Sequence, residues 1–164
     1  MKAARTGSLS RSGQVAAPSP FALDLIEALG ESAVQWRAER LRAYEYDGSI
    51  DVGHPAAVAL VATDADAASA IRVASRHGQP VVARGSGTGL SGGAVATRGG
   101  LTLSFSRMRA INLIDPPNLR AVVEPGVINL DVSRAVASHG LYFAPDPSSQ
   151  AACSIGGNIA ENAG

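Results

Sequence analysis

Between Pro55 and Gly89 the chain runs through an apolar segment, a capped helical pattern, a second apolar segment and a glycine-rich loop, and few folds accept that order. "PAAVALVA" (Pro55 to Ala62) has the length of a buried strand. Thr63 is placed to cap a helix, with Asp66 three residues on in a capping-box position. Ala67, Ala70, Ile71 and Ala74 then recur at helical spacing, Gly78 ends the pattern and Pro80 prevents its continuation. "VVA" (Val81 to Ala83) is the next strand. The product is a βαβ unit, expected to be right-handed with parallel strands. A chain of 164 residues is long enough to enclose a core around such a unit.

The flanking segments predict an α/β or α+β chain. "FALDLIEALG" (Phe21 to Gly30) reads as a helix with Leu23, Ile26, Ala28 and Leu29 on its apolar side and Gly30 as C-cap. "AVQWRAERLRAYEYDGSID" reads as a surface helix followed by a connector. "LTLSFS" (Leu101 to Ser106) alternates apolar and hydroxyl residues, the pattern of a half-buried strand. "INLID" and "LRAVVE" flank Pro116 to Asn118 as a hairpin-like pair. "NLDVSRAVASHG" predicts a helix with Asn129 as cap and Gly140 as stop, and "LYFA" predicts a brief strand. A last short helix is expected near Gly156.

The loop after the second strand has three readings. "GTGLSG" (Gly87 to Gly92) matches G-x-G-x-x-G, the fingerprint of a nicotinamide-binding Rossmann fold. That fingerprint requires a helix to open at its third glycine, whereas glycines at 92, 93, 99 and 100 leave no room for one before Leu101. The loop also follows the second strand of its βαβ unit, not the first. A P-loop is excluded because no Gly-Lys-Ser/Thr occurs. The remaining reading is an anion nest without a helix. Gly85, Gly87 and Gly89 permit close backbone approach, Arg84 at the strand end adds a positive charge at the rim of the nest, and Ser86, Thr88 and Ser91 add hydroxyl donors.

A second loop, Pro145 to Gly164, complements the first. Pro145 and Pro147 stiffen the backbone around Asp146, and Ser149 lies just beyond. "SIGGN" places Gly156 and Gly157 at a helix start, where free N–H groups favour an anion or an electron-rich ring edge. Asn158 and Asn162, four apart, share a helical face and offer amide donors and acceptors. A flavin nucleotide needs both kinds of group.

"PVVARGSGTGLSGGAV", "EPGV" and "PDPSSQAACSIGGNIAENAG" together resemble the FAD-binding domain of the vanillyl-alcohol oxidase and MurB-type (PCMH-type) superfamily, closest to its glycolate oxidase, D-lactate and D-2-hydroxyglutarate dehydrogenase branch. The resemblance covers roughly Tyr44 to Gly164. It implies an α+β fold in which two subdomains hold FAD between them. Residues 1–20, without acids and rich in Ser, Ala, Arg and Gly, are expected to be a disordered tail and 21–54 an N-terminal helical segment, and the resemblance implies a first FAD-binding subdomain (55–107) and an incomplete second one (108–164). The first loop, Arg84, Gly85, Ser86, Gly87, Thr88, Gly89, Leu90 and Ser91, would bind the pyrophosphate. Pro145, Asp146, Ser149, Ser154, Gly156, Gly157, Asn158 and Asn162 would lie near the flavin and ribityl chain, and Gly126 near the cofactor. The implied activity is oxidation of a 2-hydroxy acid such as glycolate or D-lactate to the 2-oxo acid, with hydride passing to flavin N5. The alternatives are a non-catalytic fragment that binds FAD weakly or not at all, and the Rossmann-type domain.

The chain departs from its family in ways that bear on chemistry. Some relatives attach FAD through a histidine in the first loop, where Thr88 stands here, so non-covalent FAD is expected. Cys153, the single cysteine, does not match the spacing of the cysteine some relatives use and reads as a small buried hydrophobe. His54, His77 and His139 form no triad or metal-ligand pattern, so no catalytic or metal-binding residue is assigned. A substrate domain is expected outside these residues, with iron–sulfur and other glycolate oxidase subunits as partners. A formal net charge of zero argues against a nucleic-acid footprint. No apolar run has the length of a membrane span, and a cytoplasmic site, peripheral to the inner membrane through partners, is the expected location.

Overall fold

The structure, a computed structural model, describes residues 17–163. Most of the expected tail, residues 1–16, lies outside the described residues, as does Gly164. Ser19 and Pro20 belong to the first helix rather than to the tail.

Helix α1 (Pro20–Leu29) begins where Ser19 Oγ accepts a hydrogen bond from the Ala22 N–H at 3.2 Å, with Pro20 in the position that has no N–H to lose. Gly30, at φ 85°, ends it. Its buried side is Phe21, Ala22 and Leu25, with Ile26 and Leu29 packed alongside. Leu23 and Ala28, expected on that side, face solvent. Starting the helical phase at Phe21 rather than Leu23 gives the observed face.

The charged stretch after Gly30 contains a strand that its composition hides. Strand β1 (Val34–Gln35) pairs antiparallel with β2 (Ala57–Leu60), Val34 opposite Ala59. Only a single turn of helix, α2 (Ala38–Leu41), follows before a connector, so the expected surface helix is much shorter.

Helix α3 (Asp64–Arg76) carries both bonds of its capping box: Asp66 N–H donates to Thr63 Oγ1 and Thr63 N–H to Asp66 Oδ2, each at 3.1 Å. It buries Ala70, Val73 and Ala74 and leaves Ile71 half exposed. It ends at Gly78, φ 61°. α1 packs on α3, joined by His77 Nε2 and Asp24 Oδ2 at 2.7 Å.

Strands β3 (Val81–Arg84) and β4 (Leu101–Ser104) complete the sheet in the order β1-β2-β4-β3. β2 and β3 both run parallel to β4, which lies between them, so the βαβ unit has parallel strands with a third inserted. This insertion explains why β4 is wholly buried instead of half buried as its alternation suggested: Leu101 and Leu103 enter the core, and Thr102 and Ser104 are enclosed as well. The C-terminal ends of the three parallel strands lie at one edge, and there Phe105 N–H donates to Arg84 O at 3.0 Å.

A second hydrophobic cluster forms around Val127, Val132 and Ile155. It rests on the hairpin of β5 (Ile111–Asp115) and β6 (Arg120–Val123), turned by a 3₁₀ segment at Pro116–Asn118. Helix α4 (Asn129–Val136) is preceded by Ile128, and Asn129 is its first helical residue rather than its cap. The Asn129 amide instead donates to Pro145 O at 3.2 Å, tying α4 to the second loop. Gly140 stops this segment at φ 69° as expected. "LYFA" forms no strand, because the Phe143 N–H is taken by Ser133 Oγ at 3.0 Å and not by a neighbouring strand. Helix α5 (Ile155–Glu161) closes the described chain.

Candidate functional site

The glycine loop leaves β3 at the sheet edge next to Phe105, and α5 faces it from the second cluster. Backbone pairing fixes α5 there. Asn129 N–H donates to Cys153 O at 3.0 Å, Ile155 N–H to Val127 O at 2.8 Å and Gly156 N–H to Pro125 O at 2.9 Å. Gly156 is required by this docking, because a Cβ on it would lie 2.8 Å from the Pro125 side chain and 3.0 Å from its carbonyl. Ser154 caps α5, its Oγ accepting from Gly157 N–H at 3.3 Å, so neither Gly156 nor Gly157 keeps the free N–H expected at this helix start. The same Oγ fills the space that a Cβ on Gly85 would need, so the two loops touch at that point.

Between them lies a cavity of about 750 Å³. Every residue from Arg84 to Ser91 lines it, and so do Ser149, Ser154, Gly156, Gly157 and Asn158. The structure thus brings these two groups from the sequence reading to one cavity. Four other residues expected near the cofactor, Gly126, Pro145, Asp146 and Asn162, are outside the lining. Gly126 is packed against the carbonyls of Phe105 and Met108 and donates its N–H to Met108 O at 2.8 Å, beneath the site. Pro145 anchors Asn129, and Asp146 Oδ1 accepts from the Gln150 amide at 2.6 Å, so both hold the loop's shape. Asn162 adopts a left-handed conformation, φ 53°, and ends α5, which takes it off the face shared with Asn158. Asp47, Phe105, Pro125, Cys153 and Glu161 line the cavity and were missed. Of these, only Pro125 had a sequence signal, as the neighbour of Gly126 in "EPGV". Cys153 is buried, as expected of a small hydrophobe, but at the cavity wall.

Arg84 differs most from expectation. It is 7% exposed and lies under the loop instead of at its rim. Its Nη1 donates to Ala94 O at 3.3 Å and its Nη2 to Ala43 O at 3.5 Å, and the guanidinium stands over the Tyr44 ring at 5.7 Å. Burial lowers its pKa, while Asp47, Tyr44 and Tyr46 work in the opposite direction. Asp47 is partly withdrawn from water, which works to raise its pKa. Hydrogen bonds from Ser49 and from Ala94 N–H, with the Arg84 charge, outweigh that and hold the carboxyl below its ordinary value.

The residues present suit a long, polar, anionic cofactor. Among the described residues, no N–H from Ser86 to Ser91 donates to a protein group. Asn158 is 8% exposed and its Nδ2 has no hydrogen-bond partner. A buried donor without a partner, such as the Asn158 amide, is costly and calls for a ligand or water, whereas the loop N–H groups are open to solvent and free to meet a ligand. No helix opens at Gly92, where the chain makes turns before β4, so the geometry a Rossmann fingerprint needs is missing.

Comparison with known proteins gives the site its context. A family described as "FAD binding domain" matches residues 55–164. The glycolate oxidase subunit GlcD of Escherichia coli (strain K12) is 50% identical over 127 residues, covering 77% of this chain and 26% of that protein. A D-lactate dehydrogenase of Archaeoglobus fulgidus is 38% identical over 127 residues, covering 74% and 28% respectively. The chain thus spans about a quarter of the length of the curated relatives it matches. Among solved structures, p-cresol methylhydroxylase with substrate bound superposes with a TM-score of 0.75 at 21% identity, over 87% of this chain and 29% of that one; at this identity the likeness concerns the fold.

Proposed function

This chain belongs to the FAD binding domain family, and from that premise we propose that it is the FAD-holding part of a flavin-dependent 2-hydroxy acid oxidoreductase. The observation that carries this reading is the convergence of the Arg84–Ser91 loop and the Ser149–Asn158 segment on one cavity. The 55–107 and 108–164 stretches serve as two subdomains with the cofactor between them.

The first loop offers its free N–H groups from Ser86 to Ser91 to the pyrophosphate, with Gly85, Gly87 and Gly89 allowing close approach. Ser154 and Asn158 offer polar side-chain groups to the flavin end, Asn158 through its unpartnered Nδ2. Thr88 stands where a covalent histidine would be, so FAD is held without a covalent bond. Held by the Ser86–Ser91 loop and the Ser154–Asn158 segment, FAD would supply the two-electron acceptor for oxidation of a 2-hydroxy acid to the 2-oxo acid. The residues of this chain bind and orient that group; none is placed as acid or base. Glycolate and D-lactate are the substrates proposed, by likeness to the curated relatives, with recognition supplied elsewhere in the complete protein. A multi-subunit assembly with an iron–sulfur partner and a cytoplasmic location, peripheral to the membrane, belong to the same proposal. Among the described residues no helix is long and apolar enough to cross a membrane.

The test is purification followed by acid release. FAD in the supernatant, and bleaching of the flavin band by glycolate or D-lactate in the complete protein, support the reading. Stabilisation by NAD and not by FAD overturns it.

A further inference from the structure

The family match begins at residue 55, yet a segment before it lies against the glycine loop at several points. Ala43 O and the Tyr44 ring flank the Arg84 guanidinium. Asp47 Oδ2 accepts from Ala94 N–H at 3.4 Å, at the far end of the loop. Gly48 N–H donates to Gly89 O at 2.9 Å, and a Cβ on Gly48 would lie 2.8 Å from that carbonyl. Gly53 is pressed against the Ala96 backbone. Within the loop, Gly87 (φ 70°) leaves open a space that the Arg84 guanidinium fills.

We infer that residues 43–48 form a strap under the glycine loop, with Arg84 as its pin, and that this strap holds the loop's N–H groups in the arrangement that receives FAD. Arg84 is then a positioning residue. Its planar fork reaches two carbonyls in different segments, Ala94 and Ala43, while its face lies on Tyr44. A lysine keeps the charge but supplies neither the fork nor the flat face. The carbonyls of Thr88 and Gly89 are turned to Gly48, and a peptide with its carbonyl held on one side presents the neighbouring N–H on the other. The inference rests on the FAD reading for its ligand, but the strap itself is a property of the protein without ligand.

The test uses Arg84→Lys, Tyr44→Leu and Gly48→Val in the full chain, with two readouts. The first is FAD affinity by quenching of flavin fluorescence. The second is amide hydrogen exchange of residues 85–94 without ligand, compared with α3 as an internal reference. Arg84→Lys is expected to weaken FAD by roughly tenfold or more and to speed exchange in the loop while α3 stays protected. Gly48→Val, a surface change outside the core, is expected to do the same, which covers the case in which Arg84→Lys fails to fold. Retained affinity within about twofold in Arg84→Lys, with unchanged loop exchange, overturns the strap. Faster loop exchange in the variants of a protein that does not take up FAD at all supports the strap and removes the FAD reading instead.

Discussion

Ser154 Oγ occupies the space in which a side chain on Gly85 would have to lie. Two loops that belong to different hydrophobic clusters therefore meet through a hydroxyl and a missing Cβ. Gly85→Ala should push them apart. The expected result is a loss of FAD affinity of at least about tenfold, near 1.4 kcal/mol, with unchanged helical circular dichroism. Unchanged affinity would mean the loops need not touch for binding.

Gly87 carries two constraints at once, a φ of 70° and the guanidinium beneath it. Gly87→Val should abolish FAD retention while the capped helix α3 and its flanking strands stay folded. Fluorescence titration with far-ultraviolet circular dichroism checks both halves of that statement.

Asn158 separates a ligand role from a packing role. Its buried Nδ2 lacks a partner, a state that costs about 1–3 kcal/mol. Asn158→Leu should therefore raise the melting temperature of the ligand-free protein and lower its affinity for FAD. A drop in both would mean the amide supports the fold and not the cofactor.

Asp47 gives a pH signature. Its folded pKa is depressed, so its contribution to stability is present above the unfolded value and is lost as pH falls through the folded one. Denaturant unfolding of the wild type and Asp47→Asn should differ most near neutrality. The difference should shrink below about pH 4, where an unperturbed carboxylate already titrates.

Much of the frame was legible because local chemistry carries it. Thr63 and Asp66 cap α3 as their spacing dictates, and Pro116–Asn118 turns the hairpin. The failures are tertiary. Strand β1 is two residues long inside a charged stretch and exists only because β2 offers an edge. β4 looked half buried because its place between β2 and β3 cannot be read from alternation. In the site, glycines announced both loops, but Arg84 was expected at the rim because nothing local reveals Tyr44 and Ala43 below it. Asn162 was grouped with Asn158 by helical spacing, and the helix ends before that spacing applies.

The central claim is that the cavity between Arg84–Ser91 and Ser149–Asn158 holds FAD by its pyrophosphate. Parallel titrations with FAD, riboflavin and NAD, followed by flavin fluorescence and thermal shift, test it most directly. FAD should bind and stabilise, riboflavin, which lacks the phosphates, should bind at least about tenfold more weakly, and Gly87→Val should remove that difference. Riboflavin binding as tightly as FAD, or stabilisation by NAD alone, would contradict it.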